Sequence, residues 1–318
     1  MREIIIRENE AGQRLDKFLA KLLKEAPMSF FYKMLRKKNI VLNGKKATGS
    51  EKLILGDSVK LFLSDETFEK FAGTVSLPSD ENIPAKELDI IYEDEDILMM
   101  NKPAGMLSQK AEKQDVSANE YVLQYLLERG TITKESLRTF RPSVCNRLDR
   151  NTSGILIFGK TLRGSQNMGA ALKERSIQKY YLCLVAGRIE KQQRIEGYLK
   201  KDSQRNQVII TDRPKKDGKK IVTEYRPIEQ IGDYTLLEVH LITGRSHQIR
   251  AHLASIHHPI IGDTKYGSKK QNRTFSEQAG ITHQLLHAYR LVLEDGREIT
   301  AKPTEEFERA LRYLRERT

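Results

Sequence analysis

Leu15, Phe18, Leu19 and Leu22 recur at the i, i+3, i+4, i+7 spacing of an amphipathic helix, with Lys17, Lys21 and Lys24 off the apolar stripe. A second helix is expected after Ser29, a credible N-cap, with Phe31, Met34 and Leu35 facing inward. Ile40-Val41-Leu42 then meets Asn43-Gly44, which predicts a hairpin turn, and Ser58–Leu63 supplies a further strand. From 64 to 86 the chain is polar and locally acidic and holds Pro78 and Pro84, the chemistry of a linker. Apolar runs resume at Ile90–Tyr92 and Ile97–Met100 around an acidic turn, until Asn101-Lys102-Pro103-Ala104-Gly105 breaks the strand. Val122, Tyr125 and Leu126 suggest a helix, and another is expected over 162–175 with Met168, Ala171 and Leu172 inward. Gln178–Ala186 and Thr235–Leu241 read as strands. The pattern predicts an α+β chain in three parts. A small domain over 12–63 is followed by a linker over 64–86. A larger domain over 87–318 has a mixed, largely antiparallel sheet and flanking helices.

Charge changes this picture most. Lys and Arg number 55 against 43 acidic residues, a net charge of +12, which favours a polyanionic partner, nucleic acid ahead of an anionic membrane. In the first domain the cations persist from helix into hairpin: Arg14, Lys33, Arg36, Lys37, Lys38 and Lys45 are the expected phosphate contacts. The plainer reading is a solvated helix end whose cations complement the helix dipole. Cys145 and Cys183 form no CxxC pair, so neither a disulfide framework nor a thiolate metal site is expected. The opening MREIIIRENE is too short and charged for a signal peptide, and no apolar run approaches the roughly 18–20 residues that span a bilayer. A cytoplasmic, monomeric protein without membrane association is the expectation.

Two segments concentrate chemistry. NRLDRNTSG at 146–154 places Asp149 between Arg147 and Arg150, just before the apolar run Ile155–Phe158. Neighbouring guanidiniums favour a carboxylate's charged form, a poor general base but a serviceable nucleophile or electrostatic partner. Alternatively, Asp149 only caps a turn or joins a surface ion pair. In TGRSHQIRAHLASIHHP (243–259), Ser246 is expected to cap a helix whose inward stripe is Ile249, Leu253 and Ile256. Arg245 at its start and Arg250 a turn further in make an anion site, for RNA phosphate or for the Asp149 carboxylate. Histidines 247, 252, 257 and 258 lack the HExxH spacing and a nearby ligand carboxylate, so no metal is expected. The absence of GxSxG, P-loop and GxGxxG motifs argues against serine hydrolysis, nucleotide hydrolysis and hydride transfer, and no cofactor is expected. Alternation sends Tyr180 and Tyr181 to opposite faces of their strand, so one of them can point into a cleft.

Over nearly its whole length the chain resembles the RluA/RluC/RluD family of RNA pseudouridine synthases. NRLDRNTSGILIFGKT looks like that family's catalytic motif, which makes Asp149 the nucleophile, with Asn146 where the family more often has His. LDIIYEDEDILMMNKPAGM (88–106) resembles its opening strands and turn, and KYYLCLVAG (179–187) its Lys-x-Tyr segment, which points to Tyr181. GRSHQIRAHLASIHHPIIGDTKYG (244–267) is similar to the motif whose last Arg, here Arg250, pairs with the catalytic Asp. Residues 12–63 look like the alpha-L RNA-binding motif. The tripeptide Arg14-Leu15-Asp16 repeats the catalytic one but opens a helix, so Asp16 reads as a helix-start carboxylate.

The resemblance implies the pseudouridine synthase fold and isomerisation of a flipped-out uridine in structured RNA, ribosomal RNA foremost and transfer RNA second. Arg147 would fill the space the base vacates, Arg245 and His247 would bind substrate, and Tyr181 would stack on the uracil and help proton transfer at carbon 5. Whether Asp149 attacks the sugar or the ring stays open. The rival classes are a non-catalytic RNA-binding or ribosome-assembly factor on the same fold, and a nucleoside hydrolase that releases uracil.

Overall fold

The computed structural model describes all residues except 75–82, 203–206 and 215–216. Its N-terminal unit comprises β1 (Arg2–Ile5), α1 (Leu15–Leu22), α2 (Met28–Arg36), β2 (Ile40–Leu42), β3 (Lys45–Lys46), β4 (Ser58–Leu61) and α3 (Asp65–Ala72). The strands form a sheet of order β1-β4-β2-β3. Asn43 and Gly44 both hold positive φ, the conformation a two-residue hairpin needs. Leu15, Phe18, Leu19, Phe31 and Leu35 pack from the helices onto Ile40, Val59 and Leu61.

Three local expectations are corrected here. Pro27, not Ser29, stands at the N-cap of α2: its fixed φ suits helix entry, and the helix begins two residues earlier. The expected linker at 64–86 opens with a helix. Ser64 accepts the Thr67 amide, and Phe68 and Ala72 join the N-terminal core, so a polar surface concealed a short buried stripe. Pro78, on which that linker reading leaned, lies outside the described residues. The unit also reaches back to Arg2, because β1 pairs with β4 along its length.

The larger unit contains β5 (Ile90–Glu93), β6 (Ile97–Lys102), α4 (Ala118–Glu128), β7 (Ser143–Val144), β8 (Ser153–Gly159), α5 (Leu162–Glu174) and β9 (Gln178–Ala186). It continues with β10 (Gln193–Asp202), β11 (Gln207–Thr211), β12 (Lys219–Ile231), β13 (Tyr234–Leu241), α6 (Gln248–Ser255), α7 (Lys269–Ala279), β14 (Leu286–Val292), β15 (Glu298–Thr300) and α8 (Glu305–Arg315). Eleven strands form one sheet along the path β11-β10-β12-β13-β9-β14-β8-β6-β5, with β15 and β7 on the flanks. Among the described strand pairs of this sheet only β8 and β14 run parallel, so the sheet is mixed and largely antiparallel as the pattern predicts.

Alternation along β9 explains the two faces. Tyr181, Cys183 and Val185 join a core with α4 and the start of α6, while Leu184 and Ala186 face α7 and α8. The units touch through polar contacts. The Leu162 amide donates to Asn9 Oδ1 at 2.9 Å, Thr139 Oγ1 donates to Glu10 Oε1 at 2.6 Å, and Arg138 approaches Glu69 at 3.6 Å.

Candidate active site

Asp149 sits in the loop between β7 and β8, and its neighbours are pinned one after another. Asn146 behaves like a detached piece of strand: its Oδ1 accepts the Ile157 amide at 2.8 Å and its Nδ2 donates to the Ile155 carbonyl at 3.3 Å. An imidazole cannot offer that parallel donor and acceptor pair, so Asn here extends the β7–β8 ladder toward the loop. Ser108 closes on Leu148 from both sides, accepting its amide at 3.0 Å and donating to its carbonyl at 2.8 Å. The Lys102 ammonium reaches the Arg150 carbonyl at 3.1 Å, along with the Pro103 and Met106 carbonyls. Burial pushes Lys102 down to about 7, against the pull of Asp149. Gln284 holds the Thr152 hydroxyl at 3.1 Å.

The small residues that end the motif have packing reasons. His287 Nε2 meets the Ala301 carbonyl at 3.1 Å and so carries the proton, leaving Nδ1 to accept from Ser153 at 2.8 Å. Gly154 has φ +110°, and a Cβ there would be driven into the Ala288 backbone of β14. Only glycine allows β8 to approach β14 this closely.

With its backbone fixed, the Asp149 side chain remains 26 % exposed toward a cavity of about 650 Å³. Arg250, 5 % exposed on α6, donates from Nη1 to Asp149 Oδ2 at 2.7 Å. The rest of its guanidinium is gripped by Asp263, with Nε–Oδ2 at 2.7 Å and Nη2–Oδ1 at 2.9 Å. Burial works against the Arg250 charge, but the carboxylates of Asp263 and Asp149 outweigh it and raise its pKa. Of the two partners left open for Arg250, the structure supplies the carboxylate.

His247, rather than Ser246, occupies the N-cap of α6, in a left-handed conformation with φ 56°. Gln248 replaces the expected serine cap by accepting the Arg245 amide at 3.2 Å. Tyr266 accepts the Val208 amide at 2.9 Å and shares a second hydrogen bond with His247 Nδ1 at 2.9 Å. His247 Nε2 lies 3.9 Å from Asp149 Oδ2. Burial lowers the His247 pKa despite the nearby Asp149 charge, which favours the neutral ring.

Tyr181 lines the same cavity and is 7 % exposed; burial, then the Asp149 charge, pushes its phenol well up. Tyr180 faces away, stacked on His240, with the Arg290 guanidinium over its ring at 4.0 Å from the centre. Arg147 and Arg245 are exposed on the cavity wall. Arg14, Lys33, Arg36, Lys37, Lys38 and Lys45 lie apart from the cavity, on the N-terminal unit. All are solvent-facing, and Arg14 also pairs with Asp16 at 2.7 Å. Lys102, Ser108, Asp263, Tyr266, Gln284 and His287 were missed by sequence reasoning. The NKPAGM and GDTKYG segments were singled out, but nothing local marks their polar side chains as supports. Among the described residues, no group of three or more His, Cys, Asp or Glu side chains is placed to hold a metal ion. No helix among them is long and apolar enough to cross a membrane.

Comparison with known proteins agrees with this geometry. A family model described as RNA pseudouridylate synthase matches residues 96–255. Ribosomal large subunit pseudouridine synthase C of Vibrio vulnificus (strain CMCP6) is 32% identical over 322 residues, covering 98% of this chain and 95% of that protein. The Escherichia coli (strain K12) protein of the same name is 33% identical over 293 residues, covering 90% and 86%. The solved structure of human RNA Pseudouridylate Synthase Domain Containing 4 aligns with a TM-score of 0.57 at 19% identity, covering 71% of this chain and 92% of that one, which supports the fold. The chain belongs to the RNA pseudouridylate synthase family.

Proposed function

We propose that this protein converts uridine to pseudouridine in large-subunit ribosomal RNA, acting in the cytoplasm as a monomer, with Asp149 as nucleophile. The observation that carries this reading is the convergence of Asp149, Arg250 and Tyr181 on one cationic cleft. The reaction breaks the N1–C1′ bond, turns the base, forms C5–C1′, and exchanges the proton on C5 for one on N1. It needs an anionic nucleophile, a surface to hold the detached uracil and no change of oxidation state.

Asp149 supplies the anion, on the sugar or on the ring, and Arg250 balances its charge before and after attack. Tyr181 is a stacking surface; a phenol so hard to ionise is a poor base for the C5 proton, which narrows the role expected of it. Arg147 enters the stack when the base leaves, offsetting an unstacking cost of a few kcal/mol. Arg245 and neutral His247 line the substrate side of Asp149. Residues 12–63 are the proposed RNA-binding domain, with Lys33, Arg36, Lys37, Lys38, Lys45 and the free edge of Arg14 on phosphates. The names of the large-subunit relatives support ribosomal RNA over transfer RNA as the substrate.

Asp149→Asn tests the assignment, because the amide keeps the shape and loses the nucleophile. Pseudouridine formation in a large-subunit RNA transcript should fall below detection while affinity changes less than about threefold. A variant that still isomerises removes Asp149 from the chemistry, and one that releases free uracil points to a hydrolase.

A further inference from the structure

One cation on the cleft wall has no protein acceptor among the described residues. Lys179 lies on β9 two residues before Tyr181, so its side chain leaves the same face of the strand. It is 8 % exposed, lines the cavity that holds Asp149, and among the described residues has no hydrogen bond or ion pair. Its charged neighbour is Arg175, a like charge, which lines the same cavity from the left-handed C-cap of α5. Burial, and then Arg175, lower the Lys179 pKa. The contrast with Lys102 is direct: there three carbonyls receive the buried ammonium, and here none does.

A largely buried ammonium whose acceptor can only be cavity water is less well stabilised in the free protein than a paired one. Such a group makes sense where the acceptor arrives with a ligand. The cavity's carboxylates are Asp149, already held by Arg250, and Asp217. We propose that Lys179 and Arg175 form a subsite for one phosphodiester of the RNA strand, beside the nucleotide whose base meets Tyr181. Along the strand Lys179 and Tyr181 are roughly 7 Å apart, the scale of one nucleotide step. A phosphodiester presents two non-bridging oxygens, which suits a compact ammonium beside a guanidinium fork. The choice of nucleotide rests on the isomerase reading; the anion site itself does not.

The test uses the full-length protein and a large-subunit ribosomal RNA transcript, with Lys179→Met and Lys179→Arg. The Met variant should melt at a higher temperature than wild type when free, because the unpaired charge is gone. It should bind the RNA several-fold more weakly, and its log Kd against log salt should be shallower by roughly 0.7–0.9, one phosphate contact. The Arg variant should keep the wild-type slope. An unchanged slope in Lys179→Met, or a lower melting temperature, overturns the subsite and makes Lys179 a structural residue. If wild type forms no pseudouridine in this RNA yet the slopes differ as expected, the isomerase reading fails and the anion subsite stands.

Discussion

Arg250 gives Asp149 only one corner of its fork, because Asp263 occupies the other edge. Asp263 is fully buried and also accepts the Lys265 and Tyr266 amides, so it is a fixed anchor and not a mobile counterion. Asp263→Asn should leave a buried guanidinium with half its charge unmatched and cost about 3–5 kcal/mol in urea unfolding. In an Arg250→Met background the same change should cost far less, since no buried cation is left to strand. Equal costs in both backgrounds would mean that Asp263 serves the 263–266 turn and not Arg250. The difference between these two residues also shows what a sequence can reveal. Asp149, Tyr181 and Arg250 stand in contiguous motifs whose neighbours share one local geometry. Asp263 acts on Arg250 across thirteen positions, through a contact that only the packing of α6 against its following turn creates.

The segments that hold the Asp149 loop differ in the same way. Helices α1 and α5 and strand β9 each carry a complete period of apolar residues, so their patterns survive as elements. β12 does not announce itself: Pro227 interrupts it, and a register shift between Pro227 and Glu229 absorbs the missing donor. At the end of β6, an ordinary-looking Lys102 becomes a buried post under the Arg150 carbonyl. Its folded value of about 7 lies below the 10.5 of an exposed lysine, so between those pH values the unfolded chain binds more protons than the native one. Stability from this group is therefore lost as pH falls through 7 and regained as pH rises toward 10.5. Relative to Lys102→Met, wild type should gain stability from pH 7 to 9 by up to about 1.4 kcal/mol per pH unit. Chemical unfolding at both pH values measures this, and a constant difference would show that Lys102 keeps its proton throughout.

The proposed division of recognition and chemistry between the two units is measurable through their charge distribution. The cations of α2 and its turn, Lys33, Arg36, Lys37 and Lys38, project from a compact core and have no described carboxylate partner. Their field was visible in the sequence as a run of charge, whereas the seating of this unit was not. That seating depends on single polar contacts, such as Asn9 with the start of α5 and Glu10 with Thr139. Such contacts join residues more than a hundred positions apart and leave no local pattern. If the N-terminal unit holds RNA backbone and the cleft alone performs the reaction, the unit's cations contribute equally to bound substrate and transition state. Reversing all four to Glu should then weaken binding to a large-subunit RNA transcript by at least about tenfold at moderate salt. The slope of log Kd against log salt should fall by roughly 3, from four contacts at about 0.7 each. The rate at saturating RNA should stay within about twofold, because uniform binding energy affects KM and not kcat. Salt-series titrations paired with single-turnover pseudouridine formation read both quantities on the same RNA. A fall in kcat with the salt slope intact would place these cations in the support of the cleft and take RNA contact away from the N-terminal unit.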